Sequence, residues 1–156
     1  KNEFCMRKSA GEIFISVNAA DKQMKQKYMN MVRRSAANSS LEQLNKFGLQ
    51  MFYTADMENV YYSTDMDCFI VAEIEENTLL LQSIVSENNV ALMDILQRVR
   101  GEYHKCQLGF VPAMKDMDIC TAEKYDGADD YRLFYLGEQL KSIENEKLYF
   151  PELSHA

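Results

Sequence analysis

The chain has 156 residues, 47% hydrophobic and 26% charged, the balance of one folded domain and not of a disordered segment. Its net charge of -7 speaks against duplex nucleic acid as the main partner, because phosphate binding needs a basic surface. No apolar run approaches the roughly 20 residues that span a bilayer, and the start Lys1-Asn2-Glu3-Phe4 is not a signal peptide, so a cytoplasmic protein without a membrane partner is expected.

Residues 12–18 alternate apolar and polar side chains over part of their length and read as a strand. Asn18 and Asp21 offer helix N-caps. Met24, Tyr28, Met31 and Val32 then lie on one face of a helix over residues 20–34. Its outer face carries Lys22, Lys25, Lys27, Arg33 and Arg34, a clustering compatible with a local anion site. Ser40 is read as the cap of a second short helix carrying Leu41, Leu44 and Phe47, with Gly48 as its stop. Residues 68–74 and 78–85 are two strand runs, and the polar tip Glu75-Glu76-Asn77 makes them a hairpin. Leu92, Ile95, Leu96 and Val99 share a face of a helix over residues 90–99, which Gly101 ends. Residues 106–111 read as a short strand closed by Pro112, and residues 114–130 as an acidic, turn-rich loop. Residues 131–136 form the last predicted strand, residues 138–147 a helix, and the rest a tail around Pro151.

This order predicts an α/β (α+β) fold: a mixed, largely antiparallel sheet with helices packed on it. The expected organisation is a single α/β domain over residues 1–156. The chain opens on Lys1 and not on Met, so it is also read as the C-terminal part of something longer.

The motifs of phosphate loops, dinucleotide folds, zinc proteases and serine hydrolases are all absent, and only six glycines are available to build them. Cys5, Cys68, Cys106 and Cys120 form no close pair of the kind that binds zinc, so no metal is expected and the thiols read as small core residues. His104 and Cys106, at i and i+2, are either a base and a nucleophile or two residues near a strand edge. His155, if its apolar neighbours dock the tail, would titrate near neutral pH. The junction at residues 85–90 is either an anion-binding helix start or a place where Glu87 answers the helix dipole. Glu73 and Glu75 point to one face of their strand, as solvated side chains or with a general base among them. Asp116-Met117-Asp118 could seed a calcium loop, but the turn glycine and later ligands of an EF-hand are missing. Tyr61-Tyr62 and the aromatic run 131–135 add core or interface surface.

Three segments together resemble the GNAT N-acetyltransferase superfamily. The hairpin Phe69-Ile70-Val71-Ala72-Glu73-Ile74-Glu75-Glu76-Asn77-Thr78-Leu79-Leu80-Leu81 resembles that family's "fVAeieg-x-lvG" hairpin. Leu108-Gly109-Phe110-Val111-Pro112 resembles its "LGFxP" strand, and residues 146–156 resemble the C-terminus of some bacterial members. The resemblance implies a mixed sheet that splays around acetyl-CoA and a direct transfer of acetyl from the thioester to a small-molecule or peptide amine. A carboxylate or ordered water takes the amine proton, and a Tyr protonates the thiolate. Under it Glu73 is the candidate base and Tyr135 the candidate acid, both chosen on strand position and residue chemistry. The cofactor-binding residues stay unknown. The signature [RQ]-x-x-G-x-[GA], whose backbone N–H groups hold the pyrophosphate, is replaced by residues 86–93 with no Gly and no Arg. That departure keeps a second expectation open: a non-catalytic ligand-binding or protein-interaction domain, paired as a homodimer or with a missing N-terminal half.

Overall fold

The computed structural model describes residues 13–123, together with Glu138, Phe150, Pro151 and Leu153. The chain begins with β1 (Ile15–Ser16) and α1 (Lys22–Arg34). Asp21 starts α1 as predicted, its carboxylate accepting from the N–H groups of Gln23 and Met24. Asn18 closes the preceding turn by accepting from Ala20 N–H at 2.8 Å. Then come α2 (Phe47–Tyr53), β2 (Val60–Ser63), β3 (Cys68–Glu75) and β4 (Thr78–Ser86). They are followed by α3 (Leu92–Leu96), β5 (Lys105–Leu108) and a 3₁₀ turn (Met114–Ile119).

The five strands make one sheet in chain order. Neighbours from β1 to β4 are antiparallel, and β4 and β5 are parallel. This is the mixed, largely antiparallel sheet that the order of elements predicted. A parallel neighbour cannot be reached by a tight turn, and the α3 crossover supplies the connection. The β3–β4 hairpin turns on Glu76 (φ 45°) and Asn77 (φ 65°). Positive φ at both central residues makes a type I′ turn, whose twist matches that of the strands.

Side chains of β3 alternate between two cores. Phe69 and Val71 face α1 and α2, where Tyr28, Met31, Val32 and Met57 are buried. Cys68, Ile70 and Ala72 face the other side, with Leu79, Leu81, Leu92, Ile95 and Phe110. A strand covered on both faces must be apolar at every position, which is why residues 68–72 read as a continuous run. No helix among the described residues is long and apolar enough to cross a membrane.

Three expected elements differ in extent. The second helix starts where its predicted stop lay: Gly48 is in the first turn of α2, and Ser40 is tied to Pro112, beyond β5, instead of capping. The predicted helix over residues 90–99 shortens to α3, and Tyr103 hydroxyl donates to Leu96 C=O beyond its end. β2 was visible only as the aromatic pair Tyr61-Tyr62; Tyr62 in fact leans on Phe69, with ring centroids 4.5 Å apart. The predicted strand 131–136, most of the predicted helix 138–147 and His155 lie outside the described residues.

Candidate functional site

The sheet opens at one place. β4 pairs with β3 along its whole length, from Glu75↔Thr78 to Cys68↔Ser86. Its pairing with β5 ends at Leu81↔Leu108, followed by one more bond from Gly109 N–H to Leu81 C=O at 2.8 Å. Residues 82–86 of β4 therefore continue without β5 beside them. The divergence coincides with a β-bulge. Pairing with β3 steps from Ala72↔Leu81 to Val71↔Ser83, which leaves Gln82 as the extra residue of β4. A bulge bends and twists its strand, and this one turns β4 away from its parallel neighbour.

The gap borders a small cleft of about 30 Å³. Gln82, Ser83 and Ile84 form one wall, and Phe110, just beyond β5, forms another. Asn38, Glu42, Lys46 and Gln50 close it from the segment between α1 and α2, and Leu153 adds an apolar edge. Gln50 is the polar anchor of the floor. It is 3% exposed, its amide N–H donates to Tyr28 hydroxyl at 2.9 Å, and its carbonyl accepts from Ser83 hydroxyl at 3.4 Å. Burial pushes the Tyr28 phenol above its ordinary value, so Tyr28 stays a neutral hydroxyl. Glu42 accepts from Asn38 N–H at 3.0 Å and lies 3.3 Å from Lys46.

Residues 35–40 tie the two diverging strands together. Ala36 N–H donates to Ser86 C=O at 2.7 Å, and Ser86 N–H donates to Ser35 hydroxyl at 3.3 Å. At the other wall, Ser40 N–H donates to Val111 C=O at 3.0 Å, and Ser40 hydroxyl donates to Pro112 C=O at 2.7 Å. Buried Asn38 accepts from Val90 N–H at 3.1 Å, which links the same segment to the approach of α3.

The predicted site residues fall at different distances from this cleft. Glu73 is half-buried on β3 and reaches it through Gln82, whose amide donates to the Glu73 carboxylate at 3.0 Å; Asn59 donates to the other oxygen at 3.4 Å. Glu75 is exposed at the hairpin end of β3. Tyr135 lies outside the described residues. His104 is exposed, whereas Cys106 packs on the α3-side core. Burial, and then Cys120 nearby, pushes the Cys106 thiol up to about 12, which leaves no thiolate near neutral pH. Of the two readings of His104 and Cys106, this placement favours two residues near a strand edge.

The helix start after β4 is already filled. Val90 N–H goes to Asn38, and Leu92 N–H donates to the carboxylate of Asp116 at 3.3 Å. Asp116 is 9% exposed, and its carboxylate caps α3 from a distant stretch of chain. No group of three or more potential metal ligands occurs among the described residues. Glu87 pairs with Arg34 at 2.7 Å. The basic face of α1 is largely engaged as well. Lys25 donates to Ala55 C=O, Lys27 lies 2.7 Å from Asp67, and Arg33 stacks 3.9 Å from the Phe47 ring centroid. The Lys27 ammonium holds the Asp67 carboxyl below its usual range.

Acetyl-CoA can be tested against these residues in two parts. Among the described residues, no strand lies beside residues 82–85 of β4 on the β5 side, the side an extended arm with amide groups would need. At the start of α3, internal acceptors hold the N–H groups of Val90 and Leu92, so a diphosphate there would compete with Asn38 and Asp116. Compared with protein-family models, with curated proteins and with solved structures, the chain matches none.

Proposed function

We propose that this chain is an N-acetyltransferase-like protein that transfers acetyl from acetyl-CoA, or a shorter thioester of the same kind, to a small-molecule or peptide amine. The supporting observation is the divergence of the parallel strands β4 and β5 at the Gln82 bulge, which leaves a small polar-floored cleft beside the part of β4 that β5 does not reach. The resemblance in the hairpin falls on β3 and β4, and that in residues 108–112 begins at Leu108, the last residue of β5.

A bound thioester supplies an activated acetyl carbonyl; the amine forms the C–N bond, the C–S bond breaks and the thiol leaves. The chain's part is to orient the reactants and to move protons. Gln82 spans from the cleft to Glu73 and fixes the carboxylate's direction, which makes Glu73 the candidate base acting from behind the bulge. Tyr135 keeps the role of candidate acid. The acid–base pair is tested by thiol release from acetyl-CoA in the presence of a panel of amines. Glu73→Gln is expected to lower kcat by about 10²–10⁴-fold. An unchanged kcat in Glu73→Gln would remove Glu73 from the mechanism.

A second reading, a non-catalytic ligand-binding or protein-interaction domain, is favoured by one observation. Asn38 and Asp116 seal the helix start at which the resemblance places the cofactor's phosphates. Absence of thiol release with every amine, together with no binding of any thioester, would select it.

A further inference from the structure

The charges of α1 follow a pattern that helix stability does not account for. Every ionised side chain within Lys22–Arg34 is a cation, in a chain whose net charge is -7. Arg33 and Arg34 stand in the last turn, where the helix dipole favours them. Lys22 and Lys25 stand in the first turn, where the dipole disfavours a cation, and no acidic residue shares that turn. Lys25 has a structural role there, donating to Ala55 C=O at 2.8 Å. Exposed Lys22 has no hydrogen-bond or ion-pair partner among the described residues. The neighbouring Asp21 carboxylate is turned to the N–H groups of Gln23 and Met24. A local rule broken without a structural return is a mark of function.

Much of this positive charge is not cancelled. Lys27 meets Asp67 and Arg34 meets Glu87, but the partners of Lys25 and Arg33 are a neutral carbonyl and a neutral ring. Lys22, Lys27 and Arg34 line an open groove of about 570 Å³, with Asp67 and Glu87 reaching it from the ends of the sheet strands. From Lys22 to Arg34 the helix axis covers about 18 Å, the reach of five or six extended residues. Between the cations the groove is lined by Gln26 and Asn30. The Gln26 amide donates to the Asn30 carbonyl at 3.0 Å. Outside that bond Gln26 keeps a carbonyl oxygen and Asn30 an NH2 group, one acceptor and one donor, which is what a peptide group needs. A continuous phosphate backbone would meet Asp67 and Glu87 as well as the cations. A peptide can set a carboxylate at Lys22 and pass neutral groups beside the two acids.

We propose that the groove along α1 docks an extended acidic peptide segment, with a carboxylate at Lys22 and the backbone on the Gln26–Asn30 pair. No residue of this groove lines the cleft between β4 and β5, so the docking surface stands apart from the acyl-transfer reading.

The test is a fluorescence-anisotropy titration of the full chain with a labelled Glu-Gly repeat peptide, its Gln-Gly counterpart and a single-stranded oligonucleotide of equal charge. The Glu-Gly peptide is expected to bind tightest, and to weaken as salt rises. Lys22→Glu is expected to weaken it by about tenfold. A Glu at that position suits the helix dipole, so the variant keeps α1 folded. Arg100→Glu, the same charge change at an exposed residue outside the groove, is expected to weaken it by less than about threefold. Equal effects of the two variants, equal binding of the two peptides, tighter binding of the oligonucleotide, or no binding at millimolar peptide would each overturn the proposal.

Discussion

Cys68 is fully buried and Cys106 half-buried, and burial is the main cause that pushes both thiols up to about 12. An unfolded cysteine titrates near 8.5, so the folded chain holds these protons more tightly than the unfolded one. Their contribution to stability is fully present below about 8.5 and is lost as pH rises toward about 12. Tyr28 and Tyr103 are shifted in the same direction by burial. Urea unfolding at pH 7.5 and pH 10 should therefore show lower stability at pH 10, by up to about 1.4 kcal/mol per pH unit for each buried thiol. Equal stability at the two values would contradict the burial of these groups. The burial of Cys106 agrees with its reading as a small core residue; its i, i+2 relation to His104 left two readings open because spacing says which residues are near in the chain, but not which of them is dry.

The β3–β4 hairpin is the element that positions the cleft, because its register carries the bulge. Its turn places Glu76 at φ 45°, a conformation that a residue with a Cβ adopts at a cost. Asn-Gly is the preferred pair for a type I′ turn. Glu76→Asn combined with Asn77→Gly is expected to stabilise the chain by about 0.5–1 kcal/mol. In thermal unfolding this is a rise of roughly 2–4 °C. A lower melting temperature would show that the turn is held by contacts outside its own backbone. The hairpin was legible because two β-rich runs flank a polar tip. The bulge was not read, although it left a trace: Leu79 and Leu81 keep a period of two, and the next residue in that core is Ile84. That broken period marks Gln82 as the extra residue. α2 was misplaced because Ser40 and Gly48 carry cap-like chemistry, while the helix is placed by tertiary contacts of Phe47, Gln50 and Met51.

For the whole molecule, the fold class followed from the order of apolar runs, and α1, β3 and β4 lie close to where their periodicity puts them. The cleft did not follow, because its walls come together from four separate stretches of chain: residues 38–50, 82–84, Phe110 and the end near Leu153. Long-range hydrogen bonds such as Ser40 to Val111 and Leu92 to Asp116 have no local signature in the sequence. Glu73 was legible as a strand carboxylate, but its link to the cleft through Gln82 depends on the bulge. The central claim is that the divergence of β4 and β5 is where a thioester binds. The most direct measurement is an amide chemical-shift titration of the full chain with acetyl-CoA, assigned residue by residue. The account predicts saturable shifts concentrated at residues 82–86, at Phe110 and Val111, and at Asn38. No shifts at saturating ligand, or shifts confined to the outer face of α1, would contradict it.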